Sequence, residues 1–319
     1  MTTQDRAPLR VAVVGMGHLG NYHAQKIEKI TQANLVAICD SSLELLAERS
    51  QTFKTETTND YRSLVDKVDA VIVAASTQSH YAISKFFLEN RKHVFAEKPL
   101  TETVEQAREL CALAKENNLV LQVGHVEPFN AALLSAQEKL REPLFIEGHR
   151  IAPFTPRGAD VDVVLDLMIH DIDLVLSLVN SEIKSISAVG TPVITPLVDI
   201  ANARIEFESN AVVNLTSSRV SQKSERKFRV FQQDQYLSID FGTAEVNLTT
   251  KTGPFVSFEE DLPMTFDSWS LDKGDALFEE DSAFVQSILT NTPAVVPGEH
   301  GLRALEVAEQ IRADIARRL

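Results

Sequence analysis

Lys98 stands immediately before Pro99, where an apolar, strand-like run, His93-Val-Phe-Ala-Glu97, comes to its end. Proline keeps the residue ahead of it extended, and a cis bond there would aim the lysine further. A lysine so held can donate to an oxygen on which negative charge develops. The same spacing also suits an ordinary strand exit with a solvated side chain. A second group lies in the segment 160–180, which is apolar nearly all round as a helix and therefore reads as buried. Within it Asp162, Asp166, His170 and Asp173 recur at steps of four, four and three, one narrow stripe. Buried carboxylates and imidazoles are costly unless paired or used. The stripe admits a structural hydrogen-bond ladder, a solvent-facing edge, a chelating His–Asp pair, or an acid–base pair. In the last, Asp166 sits one turn before His170 and tunes it, which makes the fullest use of the residues.

A third constellation is Arg10-Val-Ala-Val-Val-Gly15-Met-Gly17-His-Leu-Gly20, followed by a helical pattern, a second apolar run, Asn34-Leu-Val-Ala-Ile-Cys-Asp40, and the acid that ends it. Strand, glycine turn, helix, strand and acid in this order form a dinucleotide-binding fingerprint. Gly15 allows the tight turn, Gly17 the approach of a pyrophosphate, and Gly20 close packing of helix on strand. The helix N-terminus offers its N–H groups to phosphate. Asp40 would accept from a ribose 2′-hydroxyl and repel a 2′-phosphate. Ser41 and Ser42 follow it rather than an arginine, so NAD is expected in preference to NADP.

The elements that must hold these groups are legible as alternating patterns. Strand-like runs fall at 10–15, 34–40, 69–75, 93–97 and 119–124, with helical patterns at about 18–32, 41–51, 59–67, 79–91 and 103–118. Buried runs alternating with helices predict a doubly wound parallel sheet over residues 1–124, with ligands at the strands' carboxyl ends. After Gly124 the texture changes. A short helical stretch (128–140), a strand near 143–151 and the helix at 160–180 precede mostly strand-like runs from 183 to 262. Helices return at 275–290 and 299–318. Residues 125–319 are therefore expected to form an α+β domain for substrate binding and oligomerisation, with a large, mostly antiparallel open sheet; its last helix can pack back on the first domain.

A hydrophobic share of 44% and a charged share of 24% are those of a globular protein. A net charge of −14 argues against nucleic acid or an anionic membrane surface as partner, while leaving room for a small anionic ligand met by local arginines. The first five residues carry neither a basic nor an apolar signal, and no apolar run reaches the roughly 20 residues of a membrane span. Cys39 and Cys111, the two cysteines, have no metal-ligand spacing and read as buried free thiols in a reducing compartment. A cytoplasmic protein without a metal site is expected.

Taken together, Gly15-x-Gly17-x-x-Gly20-x-x-His23, Glu97-Lys98-Pro99 and Asp166-x-x-x-His170-x-x-Asp173 resemble the glucose–fructose oxidoreductase, inositol dehydrogenase and MocA family over essentially the whole chain. The resemblance implies a Rossmann domain followed by a domain with a large open sheet, a cis Lys98–Pro99 peptide, and Lys98, Asp166 and His170 as catalytic residues. It implies NAD contacts at Gly15, Gly17, His18, Leu19, Gly20, Asp40, Ser76, Thr77, His80, Glu97, Lys98 and Gln122. The family's proline in the loop after the third strand is missing from Ala75-Ser-Thr-Gln-Ser-His80. Val123-Gly-His-Val-Glu-Pro-Phe-Asn130 and Leu165-Asp-Leu-Met-Ile-His-Asp-Ile-Asp-Leu174 are similar to members that oxidise C3 of UDP-N-acetylglucosamine ahead of an aminotransferase, in diamino-sugar lipid A synthesis. Pro128 replaces a basic residue usual there, which weakens a claim to a carboxylated sugar. On this resemblance the substrate contacts are Lys98, Glu127, Phe129, Asn130, Arg157 and His170. Among the basic residues of the second domain, His149, Arg150, Arg157, Arg219, Lys223 and Arg226 are available to a pyrophosphate, Arg157 foremost. His18 and His23 read as packing residues of the glycine turn. An oxidation of inositol or a simple sugar is the neighbouring alternative. From another class comes an NAD-binding regulator without turnover. A homodimer or homotetramer is expected.

Overall fold

The computed structural model describes residues 7–155, 161–257 and 262–319. The chain divides into two compact units. The first comprises residues 1–126 and 275–305, the second 127–274 and 306–319.

In the first unit, β1 (Leu9–Val14), β2 (Ala33–Cys39), β3 (Glu56–Thr58), β4 (Ala70–Val73), β5 (His93–Glu97) and β6 (Leu121–Gly124) form one parallel sheet in the order β3-β2-β1-β4-β5-β6. Val, Ile, Leu and Ala dominate its central strands because both faces are covered by helices. These helices are α1 (His18–Ile27), α2 (Leu43–Arg49), α3 (Thr77–Glu89) and α4 (Val104–Glu116), with α7 (Ala276–Thr290) arriving from late in the chain. Phe284 and Val285 of α7 lie in the same core cluster as Val11, Val13, Ile38, Ile72 and Phe95. That burial draws the segment 275–305 to the first unit, so a single boundary at 124 does not describe the chain. The expected helix at 59–67 is one 3₁₀ turn, Tyr61–Leu64, and α1 stops at Ile27. The strand order reverses between β1 and β4, the switch point at which ligands of such sheets bind. Cys39 and Cys111 are buried and unbridged. Burial beside Asp40 and Asp60 pushes the Cys39 thiol up to about 12, which keeps it protonated and unreactive.

The second unit is built on an eight-stranded sheet. It holds β7 (Pro143–Ile151), β8 (Ile183–Thr191), β9 (Ile200–Phe207), β10 (Val212–Ser218), β11 (Glu225–Gln232), β12 (Gln235–Asp240), β13 (Glu245–Lys251) and β14 (Met264–Ser270). Their order is β14-β13-β12-β11-β7-β10-β9-β8, antiparallel except for β7 beside β10. Alternate residues such as Ala203, Ile205 and Phe207 are buried on one face while their neighbours are half-buried or exposed. Against the sheet lie α5 (Ala131–Ala136) and α6 (Ile169–Leu178), and α8 (Gly298–Ala316) gives its last residues to this unit. Among the described residues, no helix is long and apolar enough to cross a membrane.

α6 is fixed to the sheet by charge. Arg150 of β7 donates to both carboxylate oxygens of Asp171, at 2.7 and 3.0 Å. It also pairs at 2.8 Å with Glu127, which Arg226 engages from β11. Arg150, Asp171 and Glu127 are all buried. Two cations meet two anions, so the cluster is balanced, and removing one charge leaves another without compensation. Asp171→Asn is expected to lower unfolding stability by about 3–5 kcal/mol, the usual cost of breaking a buried pair. Urea melts followed by circular dichroism measure this; a loss under about 1 kcal/mol would mean the pair resembles an exposed one.

Candidate active site

The glycine turn is tighter than its sequence spacing alone requires. Gly15 has φ +95°, and a Cβ there would lie 2.4 Å from the Ala75 nitrogen, so the loops after β1 and β4 touch at the switch point. A Cβ on Gly20 would fall 1.7 Å from the Gly15 carbonyl oxygen, so α1 begins flush against the turn. Gly17 differs: a Cβ there would meet nothing within 4 Å, and the residue is exposed. Gly17 caps α1 and Ser76 caps α3, both without a side-chain hydrogen bond to the helix. By contrast Ser42, Thr103 and Asp275 cap α2, α4 and α7 with their own oxygens. Neither of these two N-termini at the carboxyl edge spends its N–H groups on a capping side chain, an arrangement that suits a dinucleotide's phosphates.

Asp40 completes this edge. Its Oδ2 accepts from the Met16 N–H at 2.7 Å and its Oδ1 from the Ser42 N–H at 2.8 Å. The carboxylate is half-buried and anchored, with lone pairs left for ribose hydroxyls. His18 is exposed, with its ring edge on Tyr22; Leu19 is half-buried. Ser76 is exposed, with its Oγ 3.2 Å from that of Ser79, and half-buried Thr77 opens α3. Two expected cofactor contacts are placed otherwise. His80 is 1% exposed, and its ring nitrogens face the carbonyl oxygens of Pro99 (2.9 Å) and Ala75 (3.0 Å). Burial holds its pKa below the ordinary value, and as a neutral imidazole the ring, enclosed between the loops after β4 and β5, donates to one of these two carbonyls at a time. Gln122 is wholly buried and donates to the Glu280 carbonyl at 3.1 Å.

The Lys98–Pro99 peptide is cis, and Lys98 is half-buried. Its backbone N–H donates to Glu97 Oε2 at 3.2 Å. Glu97 accepts in turn from His23, which also contacts Asp281 of α7. His23, expected to pack against the glycine turn, thus links α1 to β5 and α7. Asp281 was not foreseen; 258 residues separate it from His23, and nothing local marks it.

In the second unit the stripe of Asp162, Asp166, His170 and Asp173 is remodelled. A π turn, Val164–Met168, precedes α6, with the Ile169 N–H reaching back to the Val164 carbonyl. Such turns re-aim side chains and recur at functional sites. Asp166 lies on the π turn and His170 at the start of α6, both half-buried. Asp162 leaves the stripe: its Oδ1 caps the N–H groups of Val164 and Leu165, and its Oδ2 accepts from Arg312 at 2.5 Å. Asp173 is buried. The helix is therefore not one continuous α stretch from 160 to 180. Its entry is held by Arg219, which donates to the Val161 carbonyl at 2.6 Å and to Asp199 at 2.8 Å.

Arg219 and Arg150 are buried in these pairs, so neither is available to a pyrophosphate as the sequence had allowed. Burial of an arginine with its acids cannot be read from spacing. Glu127 is 1% exposed and engaged by Arg150 and Arg226, which makes it a support rather than a surface contact. Asn130 caps α5 by accepting from the Ala132 N–H, and Phe129 is buried. His149 lies between Glu147 and Glu225, and Lys223 is exposed. Arg157 lies outside the described residues. Among those described, no three His, Cys, Asp or Glu side chains converge to hold a metal ion.

Comparison with known proteins accounts for both units. Residues 9–125 match the family described as "Oxidoreductase family, NAD-binding Rossmann fold", and residues 148–238 the GFO/IDH/MocA C-terminal domain. The chain is 34% identical to UDP-N-acetylglucosamine 3-dehydrogenase of Acidithiobacillus ferrooxidans, over 96% of this chain and 97% of that one. A solved structure of that enzyme superposes with a TM-score of 0.91 at 32% identity, covering 98% of this chain and 99% of the other. The scyllo-inositol dehydrogenase of Lactobacillus casei, solved with NAD(H) and scyllo-inositol, shares the fold at a TM-score of 0.81 and 21% identity, covering 98% of each chain. The scyllo-inositol 2-dehydrogenase (NAD(+)) of Bacillus subtilis is 30% identical over 67% of this chain and 68% of its own. With its open glycine turn, its anchored Asp40 and both domains matched, the chain belongs to the GFO/IDH/MocA oxidoreductases and binds NAD through its Rossmann unit.

Proposed function

We propose that this protein oxidises the C3 hydroxyl of UDP-N-acetylglucosamine to a ketone with NAD. The observation that carries the reading is the end-to-end match, at 34% identity, to an enzyme of that activity. The presence of Lys98 at the end of β5, of Asp166 on the π turn and of His170 at the start of α6 supports it. The glycine turn and Asp40 would hold the dinucleotide, which supplies the acceptor for the hydride leaving carbon. Every remaining step belongs to the chain. His170 accepts the hydroxyl proton, and Asp166 orients and steadies the imidazole that takes it. Lys98 donates to the oxygen as it gains negative charge. Glu97 positions Lys98, and Arg157 is the basic residue offered to the pyrophosphate. In the cell the same reading makes the protein a cytoplasmic homodimer or homotetramer whose ketone product is consumed by a sugar aminotransferase; light scattering on a sizing column tests the assembly.

NADH absorbance, recorded with UDP-N-acetylglucosamine and hydroxylamine to trap the ketone, tests the substrate. A signal that is absent with free N-acetylglucosamine and with inositols is expected. Turnover of inositol with indifference to uridine phosphates would replace the reading with a polyol dehydrogenase, and NAD binding without any turnover with a regulator. Lys98→Ala and His170→Ala should each reduce kcat by about 10²–10⁴-fold while leaving NAD affinity near that of the parent. Near-normal turnover in both would remove these roles.

The glycines separate cofactor binding from folding. Gly17→Ala adds a methyl group to open space, so its melting temperature should match the parent while its Kd for NAD rises at least about tenfold. Gly20→Ala drives a methyl group into the Gly15 carbonyl and should lower the melting temperature itself. Unchanged NAD affinity in Gly17→Ala, by calorimetry, would place the phosphates elsewhere.

A further inference from the structure

His23 is fully enclosed, and both of its ring nitrogens face carboxylate oxygens: Glu97 Oε1 at 2.9 Å from Nε2, and Asp281 Oδ1 at 2.8 Å from Nδ1. Ionised carboxylates only accept, so both contacts are satisfied together only by the imidazolium, which carries two N–H donors. The three groups lie on three elements: α1 just after the glycine turn, β5 just before Lys98, and α7. Glu97 also accepts the Lys98 N–H through its other oxygen. The carboxyl group lies over the end of β6, where any Cβ on Gly124 would come within 3.0 Å of it. It is held from both sides.

We propose that His23 and Asp281 are positioning residues for Lys98: they clamp the Glu97 carboxylate against the Lys98 peptide and tie that peptide to the helix of the glycine turn. This inference rests on the reading of Lys98 as the group that steadies the substrate oxygen. Burial alone would push His23 down, but Asp281 and Glu97 overcome it and hold its pKa well above the ordinary value. Burial would raise Glu97, yet its hydrogen bond and charge interaction with His23 bring it below the usual carboxylate range. Burial leaves Asp281 above the ordinary aspartate value. With all three ionised, one positive charge faces two negative ones, so His23 keeps both N–H donors and Glu97 stays an acceptor for the Lys98 N–H. The other charged or titratable groups nearby are the neutral His80 of α3, Lys26 of α1, which pairs with Asp275 at 2.6 Å, and Glu280 of α7, buried beside Asp281. Buried ionic sets add little stability over apolar replacements of similar volume. A role in placing charge accounts for this one better than a role in holding the fold.

Asp281→Asn keeps the shape and removes the negative charge. His23 then loses one of its two carboxylate partners and its hold on Glu97 slackens, so the Lys98 peptide is placed less well for the transition state. At the parent's optimum kcat should fall about tenfold, with KM for NAD and for UDP-N-acetylglucosamine changing less than about threefold. Glu97→Gln, which removes the carboxylate shared by His23 and the Lys98 N–H, should lower kcat with the same sparing of KM and serves if Asp281→Asn does not fold. In the parent protein with ¹⁵N-labelled histidine, NMR should show one buried ring still protonated on both nitrogens at a pH where exposed histidines have become neutral. A folded Asp281→Asn with the parent's kcat, even with a lower melting temperature, overturns the inference. So does a neutral His23 at neutral pH. If Lys98→Ala is itself silent, both the Lys98 reading and this inference fall; if Lys98→Ala is inactive and Asp281→Asn is not, only the positioning role is lost.

Discussion

How near α1 begins to β1 is the constraint from which the carboxyl edge of the first sheet follows. The Gly15 carbonyl occupies the space a side chain on residue 20 would need, and Gly15 itself turns with φ at +95° against Ala75. No residue with a Cβ fits either place without moving a helix or a loop. That closeness carries the Met16 N–H to Asp40 and leaves the start of α1 without an internal cap. A ligand that supplies negative oxygens completes what the chain leaves open. Local sterics thus become a preference for a particular chemistry.

Both units place charge inside, and both do so in sets rather than pairs. In the first, an imidazole links β5, α1 and α7 through two carboxylates. In the second, Arg150 and Arg226 bind Glu127 and Asp171, and Arg219 binds Asp199 and the Val161 carbonyl. Apolar contacts tolerate small slips of one element over another. A bidentate arginine does not, because its two bonds are lost together. The segment bearing Asp166 and His170 is gripped in this way at Val161 before it and at Asp171 within it, so the π turn between is held under constraint from both sides.

The parallel sheet was legible because strands buried on both faces spell themselves as apolar runs, as 93–97 does. Short or half-exposed strands do not. β3 is only Glu-Thr-Thr, and β14 is exposed along most of its length, so neither stood out from its surroundings. Glycine spacing, Glu97-Lys98-Pro99 and the Asp166–His170 step were visible for the same reason: each is a local pattern with a local cause. Long-range pairing has no such trace. Asp171 sits beside His170 in the sequence, yet its value comes from Arg150, 21 residues away on another element. Arg150 and Arg219 read as cations awaiting an anionic ligand because the acids that occupy them are invisible until the chain is folded. Asp162 read as one of a stripe because a helix start and a helix interior look alike when the turn between them is a π turn.

The order in which the residues are made gives the return of α7 to the first sheet a temporal meaning. Phe284 and Val285 fill the core around Val13, Ile72 and Phe95, and they are encoded after the whole of β7–β14. On the ribosome, which releases a chain from its N-terminus, the nucleotide-binding sheet therefore waits with one flank uncovered while the other unit is synthesised. Its apolar helical flank closes only after β14 has been made, so the interval in which that surface must be shielded from other nascent chains is set by the length of the inserted unit.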